Sequence, residues 1–181
     1  MKRVLVAGAT GYLGHFVCRE LRARGYFVRA LVRSPHKLDR LWDVTDEIVH
    51  GEVTKPETLN RVCENMDAVF SSVGITRQKD GLSFRDVDYQ GNLNLLEEAR
   101  RAGVRKFVYV SVLHGQDLTQ LDIVKAHEDF VAELEKLAYE VDAQESGATG
   151  HQDAGLRRVL HDRALPLRRS RRQVSITKEA C

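Results

Sequence analysis

Gly8, Gly11 and Gly14 follow one another at the spacing G-x-x-G-x-x-G, inside the run Val4-Leu5-Val6-Ala7-Gly8-Ala9-Thr10-Gly11-Tyr12-Leu13-Gly14. Three glycines so placed suit the binding of a pyrophosphate. Gly8 permits a tight turn out of a strand, Gly11 lets backbone N–H groups approach an anion, and Gly14 lets the next helix sit close on the strand. The N-terminus of that helix adds unpaired donors and partial positive charge. Backbone groups of Thr10, Tyr12 and Leu13 are the expected neighbours of the anion. Further along, Ser71-Ser72-Val73-Gly74 and Ser111 each close an apolar run, where side chains reach the ligand end of a sheet.

Positioning these residues requires strands that end together, and the chain alternates strand and helix patterns. After the glycines, Leu13, Phe16, Val17 and Leu21 recur at helical spacing, and Gly25 closes that helix. A second strand is expected over 26–32 and a third over 48–52. Pro56 opens a helix to about Asn65, with Thr54 as its cap. A fourth strand follows over 68–72, and a helix from Asp86 to Ala102, stopped by Gly103. The fifth strand is expected over 107–111 and an amphipathic helix from Leu121 to about Leu137. Such alternation predicts an α/β fold: a doubly wound parallel sheet of Rossmann type, in three α/β/α layers, with ligands beyond the carboxyl ends of the strands.

Composition bounds the remaining possibilities. The chain has 181 residues and a formal net charge of +2. A charge so close to zero gives no argument for nucleic acid or an anionic membrane. No apolar run approaches a transmembrane length. Cys18, Cys63 and Cys181 make an odd set without C-x-x-C spacing, so neither a disulfide framework nor a zinc site follows, and a reducing cytoplasm is the default expectation. The expected organisation is a dinucleotide-binding domain over 1–141 and an atypical tail over 142–181. That tail carries Arg157-Arg158 and Leu167-Arg168-Arg169-Ser170-Arg171-Arg172, and is expected to be irregular, basic and loosely structured, apart from a short helix near 156–163.

Several motifs in the right order resemble the atypical short-chain dehydrogenases/reductases, of the NmrA-like, extended-related group that binds NAD(P). They are the glycine run, Val69-Phe70-Ser71-Ser72-Val73-Gly74, Val87-Asp88-Tyr89-Gln90-Gly91-Asn92-Leu93, and Ala102-Gly103-Val104-Arg105-Lys106-Phe107-Val108-Tyr109-Val110-Ser111. The resemblance implies a sixth strand, which Leu137-Ala138-Tyr139-Glu140-Val141 resembles. Asp142 onward does not resemble the substrate region that should follow, as a truncation, a frameshift or a divergent terminal exon would explain.

The end of the second strand sets the cofactor expectation. A carboxylate there would bond the adenosine ribose hydroxyls, whereas an arginine favours a 2′-phosphate. The chain has Val32-Arg33-Ser34-Pro35. Arg33 offers a planar fork and Ser34 a further donor, so NADP(H) is preferred over NAD(H). Ser71, Ser72, Val73 and Gly74 are expected to flank the adenine side.

The resemblance also implies a catalytic set, which is incomplete here. Ser111 stands where a serine would bond a substrate carbonyl. The Tyr-x-x-x-Lys pair fails: with Lys125 as the lysine the tyrosine place holds Leu121, and with His127 in the lysine place it holds Ile123. Neither side chain can donate a proton. Other donors to weigh are His114, Tyr89 and Tyr12, and Asp88 would orient or cap its helix. Two functions follow as expectations: an NADP(H)-dependent oxidoreductase acting on a small carbonyl compound through Ser111, or a non-catalytic NADP(H) sensor that regulates a protein partner.

Overall fold

The computed structural model describes residues 1–75, 81–112, 115–118 and 120–147. Five parallel strands form one sheet: β1 (Arg3–Ala7), β2 (Phe27–Val32), β3 (Glu47–His50), β4 (Ala68–Ser71) and β5 (Lys106–Tyr109), in the order β3-β2-β1-β4-β5. β1 lies at the centre, with Val6 opposite Ala30 on one side and Phe70 on the other. The helices are α1 (Tyr12–Ala23), α2 (Asn92–Arg101) and α3 (Asp122–Gly147).

Strand alternation divides the core in two. Val4 and Val6 of β1 face one layer, where Cys18 of α1 meets Val28, Ala30, Leu41 and Val44. Leu5 and Ala7 face the other, with Leu95 and Ala99 of α2 and Phe130 and Leu134 of α3. The sheet is thus covered on both faces, the condition under which a parallel sheet is stable. Burial pushes the thiols of Cys18 and Cys63 up to about 12, and both are free cysteines. At the amino end of the sheet, Asp67 accepts the backbone N–H of Arg3 at 2.8 Å and the guanidinium of Arg105 at 2.9 Å, tying β1, β4 and β5 together.

Three elements differ from the sequence expectation. The helix after Pro56 is one 3-10 turn, Pro56–Leu59, with no side-chain cap; Thr54 instead donates to Glu52 Oε1, and Thr58 Oγ1 accepts the Glu52 N–H. Arg61 and Asn65 adopt left-handed backbone conformations, with φ of 66° and 61°. The buried guanidinium of Arg29 takes the carbonyls of Val62 and Glu64, holding this segment in its turns. The helix before Gly103 does not begin as an ordinary α-helix: Arg85–Gly91 is π-helical and α2 continues from it.

Residues 137–141 form no sixth strand. They continue α3, which is described to Gly147. From Ala132 to Glu145 the chain offers helix formers and neither glycine nor proline, so nothing local stops the helix. The expected division at 141/142 therefore falls inside a helix. The arginine-rich runs, the expected helix at 156–163, and Cys181 lie outside the described residues.

Candidate functional site

The carboxyl ends of β1, β2, β3 and β4 open into one cleft, lined among others by Gly8, Thr10, Gly11, Arg33, Ser72 and Gly74. It holds about 770 Å³ of space, its open mouth included. Gly8 leaves β1 with φ +82°, and Gly11 N–H donates to its carbonyl at 2.9 Å. A side chain at Gly8 would meet Ser72 Oγ at 2.7 Å. Gly11 is the residue before α1, in extended conformation and with no side-chain cap, and the first turn of α1 carries no acid. The early N–H groups of α1 therefore have no side chain competing for them, which suits an anion.

The residues expected to touch a ligand divide by position. Gly8, Thr10, Gly11, Arg33, Ser72, Val73 and Gly74 line the cleft. Gly14 is buried where α1 crosses β1, and Leu13 is half-buried beside it. Tyr12 is exposed and packs edge-on to Phe16. Ser34 precedes the 3-10 turn Pro35–Arg40 in extended conformation. The Ser71 side chain is fully buried and donates to Asn92 Oδ1 at 2.6 Å, so it serves the wall behind the cleft.

The cleft also contains residues that the motifs did not announce. Glu52 lines it at the end of β3, with Lys55 Nζ 2.8 Å from its Oε2. That hydrogen bond, with lesser help from Thr54 and Arg33, holds the Glu52 carboxyl below its ordinary value. Leu31, Val53, Ile75 and Val87 supply an apolar lining. Their signal in the sequence was the strand ends themselves, which mark the floor but not which side chains turn inward.

Behind the wall formed by Val73, Gly74 and Ile75 lies a buried polar network. Asp88 and Asn92 are both fully buried. Asn92 Nδ2 donates to the carbonyls of Val73, at 3.2 Å, and Asp88, at 2.8 Å. Asp88 Oδ2 accepts the N–H of Ile75 at 3.3 Å. Its other oxygen lies 3.0 Å from His127 Nε2, and His127 Nδ1 lies 2.6 Å from the Tyr109 hydroxyl. Burial, then the carboxylates of Asp88 and Glu128, raise the Tyr109 phenol far above the ordinary tyrosine range. It keeps its proton at neutral pH, and its hydroxyl stands within hydrogen-bond distance of Nδ1.

Among the described residues, no tyrosine–lysine pair lines the cleft. Leu121 and Lys125 are exposed, Ile123 is half-buried, and His127 is engaged inside the fold. Tyr89 is half-buried, with the Arg85 guanidinium 4.4 Å from its ring centre. Ser111 follows β5, and its buried Oγ has no hydrogen-bond partner among the described residues. His114 lies outside them. Tyr109, absent from the sequence expectations, is the phenol that the fold places beside His127.

The family profile described as NAD(P)H-binding matches residues 8–149. Among curated relatives, a Photosystem II assembly factor, Ycf39, from Synechocystis is 40% identical over 134 residues, covering 72% of this chain and 41% of that protein. A 3 beta-hydroxysteroid dehydrogenase/Delta 5→4-isomerase from Mycobacterium tuberculosis is 31% identical over 128 residues, covering 64% and 34%. This chain thus spans about two fifths or less of these relatives. The NADPH-dependent quinone oxidoreductase QOR2 from Escherichia coli, solved with NADPH, shares the fold: TM-score 0.58, 23% identity, covering 74% of this chain and 44% of that one.

Proposed function

The chain belongs to the NAD(P)H-binding family, and from that premise we propose that it is an NADP(H)-binding module that works through a protein partner rather than by turnover. The observation that carries this reading is the contrast at the cleft. The glycine turn and the uncapped N-terminus of α1 fit a pyrophosphate, whereas the side chains at the tyrosine place, Leu121 or Ile123, hold no transferable proton. When bound, NADPH would supply a hydride; among the described residues, neither Leu121 nor Ile123 offers the acid or base that a carbonyl reduction needs at that place.

In this reading Gly8, Gly11 and the start of α1 hold the pyrophosphate, and Gly14 seats that helix. Arg33 and Ser34 take the 2′-phosphate, Ser72, Val73 and Gly74 flank the adenine side, and Glu52 faces the nucleoside. The similarity to the Photosystem II assembly factor supports, in this reading, a partner within that assembly process and work beside the photosystem rather than free in the cytoplasm. No helix among the described residues is long and apolar enough to cross a membrane. The domain boundary near 141 moves, in this reading, to the end of α3.

One observation favours a second reading, an NADP(H)-dependent oxidoreductase. The unpartnered Ser111 Oγ could bond a substrate carbonyl, and the dehydrogenase relative supports that chemistry. Calorimetric titration with NADPH and NADH, followed by NADPH oxidation against aldehydes, ketones and quinones, separates the two. Binding without turnover, and cofactor-dependent co-purification with photosystem II subunits, is expected. Turnover that disappears in Ser111→Ala would overturn the sensor reading, and absence of binding would overturn both.

A further inference from the structure

The carboxylate of Asp88 joins two parts of the molecule that the chain itself separates. One oxygen holds the cleft wall through the N–H of Ile75; the other meets His127 of α3. The wall has no slack at this point. A methyl group on Gly74 would lie 2.7 Å from Asp88 Oδ1 and 3.9 Å from His127 Nε2, so the bare Gly74 backbone lies between the cleft and the pair. Both partners are themselves fixed. Asp88 sits in the π-helical stretch, with Asn92 bonded to its carbonyl, and the imidazole is held from its far side by Tyr109. Asp88 Oδ1 makes no aligned hydrogen bond among the described residues.

We infer that Asp88 and His127 are positioning residues that carry cofactor occupancy from the cleft wall to α3. A ligand seated against Val73, Gly74 and Ile75 restrains that backbone. The restraint reaches Asp88 through the Ile75 N–H, and α3 through the 3.0 Å contact between Asp88 and His127, because moving the buried carboxyl off Ile75 would leave polar atoms unsatisfied. This rests on the NADP(H)-binding reading and names its regulated element: α3 would report whether the cleft is filled.

Hydrogen exchange of the full chain with and without saturating NADPH tests it. Expected in the wild type is slower exchange at 73–75 and, by about fivefold or more, at 123–131 in α3. In His127→Leu, protection at 73–75 should persist while the α3 effect disappears, and His127→Gln, which keeps an N–H near Asp88, should restore it. Should His127→Leu not fold, Gly74→Ala breaks the same contact from the wall side and should loosen α3 even without NADPH. Wall protection without α3 protection in the wild type overturns the inference and leaves cofactor binding standing. So does an unchanged α3 effect in His127→Leu, or an unaltered α3 in Gly74→Ala. Absence of protection anywhere overturns the cofactor reading, and this inference with it.

Discussion

Gly14 presses its α-carbon against the peptide of Gly8. A methyl group at Gly14 would overlap the Gly8 carbonyl oxygen and lie 2.7 Å from the Gly8 carbonyl carbon. The glycine at the third position thus fixes how closely α1 approaches the turn that leaves β1. Gly14→Ala is expected to destabilise the fold by about 1–3 kcal/mol in urea unfolding, through backbone displacement. NADPH binding should weaken with it. Gly25→Ala is the contrast: Gly25 has φ +78° with nothing within 4 Å of an added methyl, so it should cost about 1 kcal/mol and leave binding unchanged.

Arg33 lines the cleft at the end of β2, and in the proposed reading it takes the 2′-phosphate. Arg33→Asp replaces a cationic fork by a carboxylate. Calorimetry should show the NADPH Kd rising by about tenfold or more, as expected for a lost charge-assisted pair, with NADH binding unchanged or tighter. An unaltered preference would remove Arg33 from the proposed site.

Asn92 bonds Ser71 Oγ, the Val73 carbonyl and the Asp88 carbonyl from a fully buried position. Asn92→Ala leaves these groups unpaired out of reach of water, for a loss of about 1–3 kcal/mol. Because the Val73 carbonyl belongs to the cleft wall, the NADPH Kd should rise as stability falls. A stability loss with unchanged affinity would show that the wall holds its shape without this bond.

Asp67 supplies a pH dependence. The N–H of Arg3, and then the Arg105 guanidinium, hold its carboxyl below the ordinary 3.8. A carboxylate depressed on folding adds stability above its unfolded value and loses it as pH falls through the folded value. The wild type should therefore lose stability to acid below about pH 4 more steeply than Asp67→Asn, whose curve should be lower at neutral pH and flatter in acid. Parallel curves from urea melts across pH 2–7 would contradict this.

Particular residues show how far the sequence could be read. The turn from β1 into α1 was legible because its determinants are contiguous: an apolar run, glycine where the backbone turns left-handed, and a helix pattern directly after. The order of strands and helices followed from the same local periodicity. Pro56 misled because a favourable helix start does not outweigh Arg29, which captures the carbonyls of Val62 and Glu64 from another strand. Residues 137–141 misled in the opposite sense: a resemblance to a strand gave way to a stretch with no helix breaker before Gly147.

The catalytic-looking positions show the same division. Ser111, Leu121 and His127 are named through the family resemblance, and so is the missing phenol at the tyrosine place. That a different phenol, Tyr109, meets His127, and that His127 turns from the cleft toward Asp88, required β5, α3 and the π-helical stretch to be packed together. Sequence alone determined the glycine turn and the parallel α/β order, because each is written in neighbouring residues; the gap in the proton-transfer pair is an expectation that the family resemblance adds. Tertiary structure decided which polar side chains face the cleft and which sink behind it. Burial makes an unpaired polar group costly, so Asp88, Asn92, His127 and Tyr109 settle against partners brought in from distant segments.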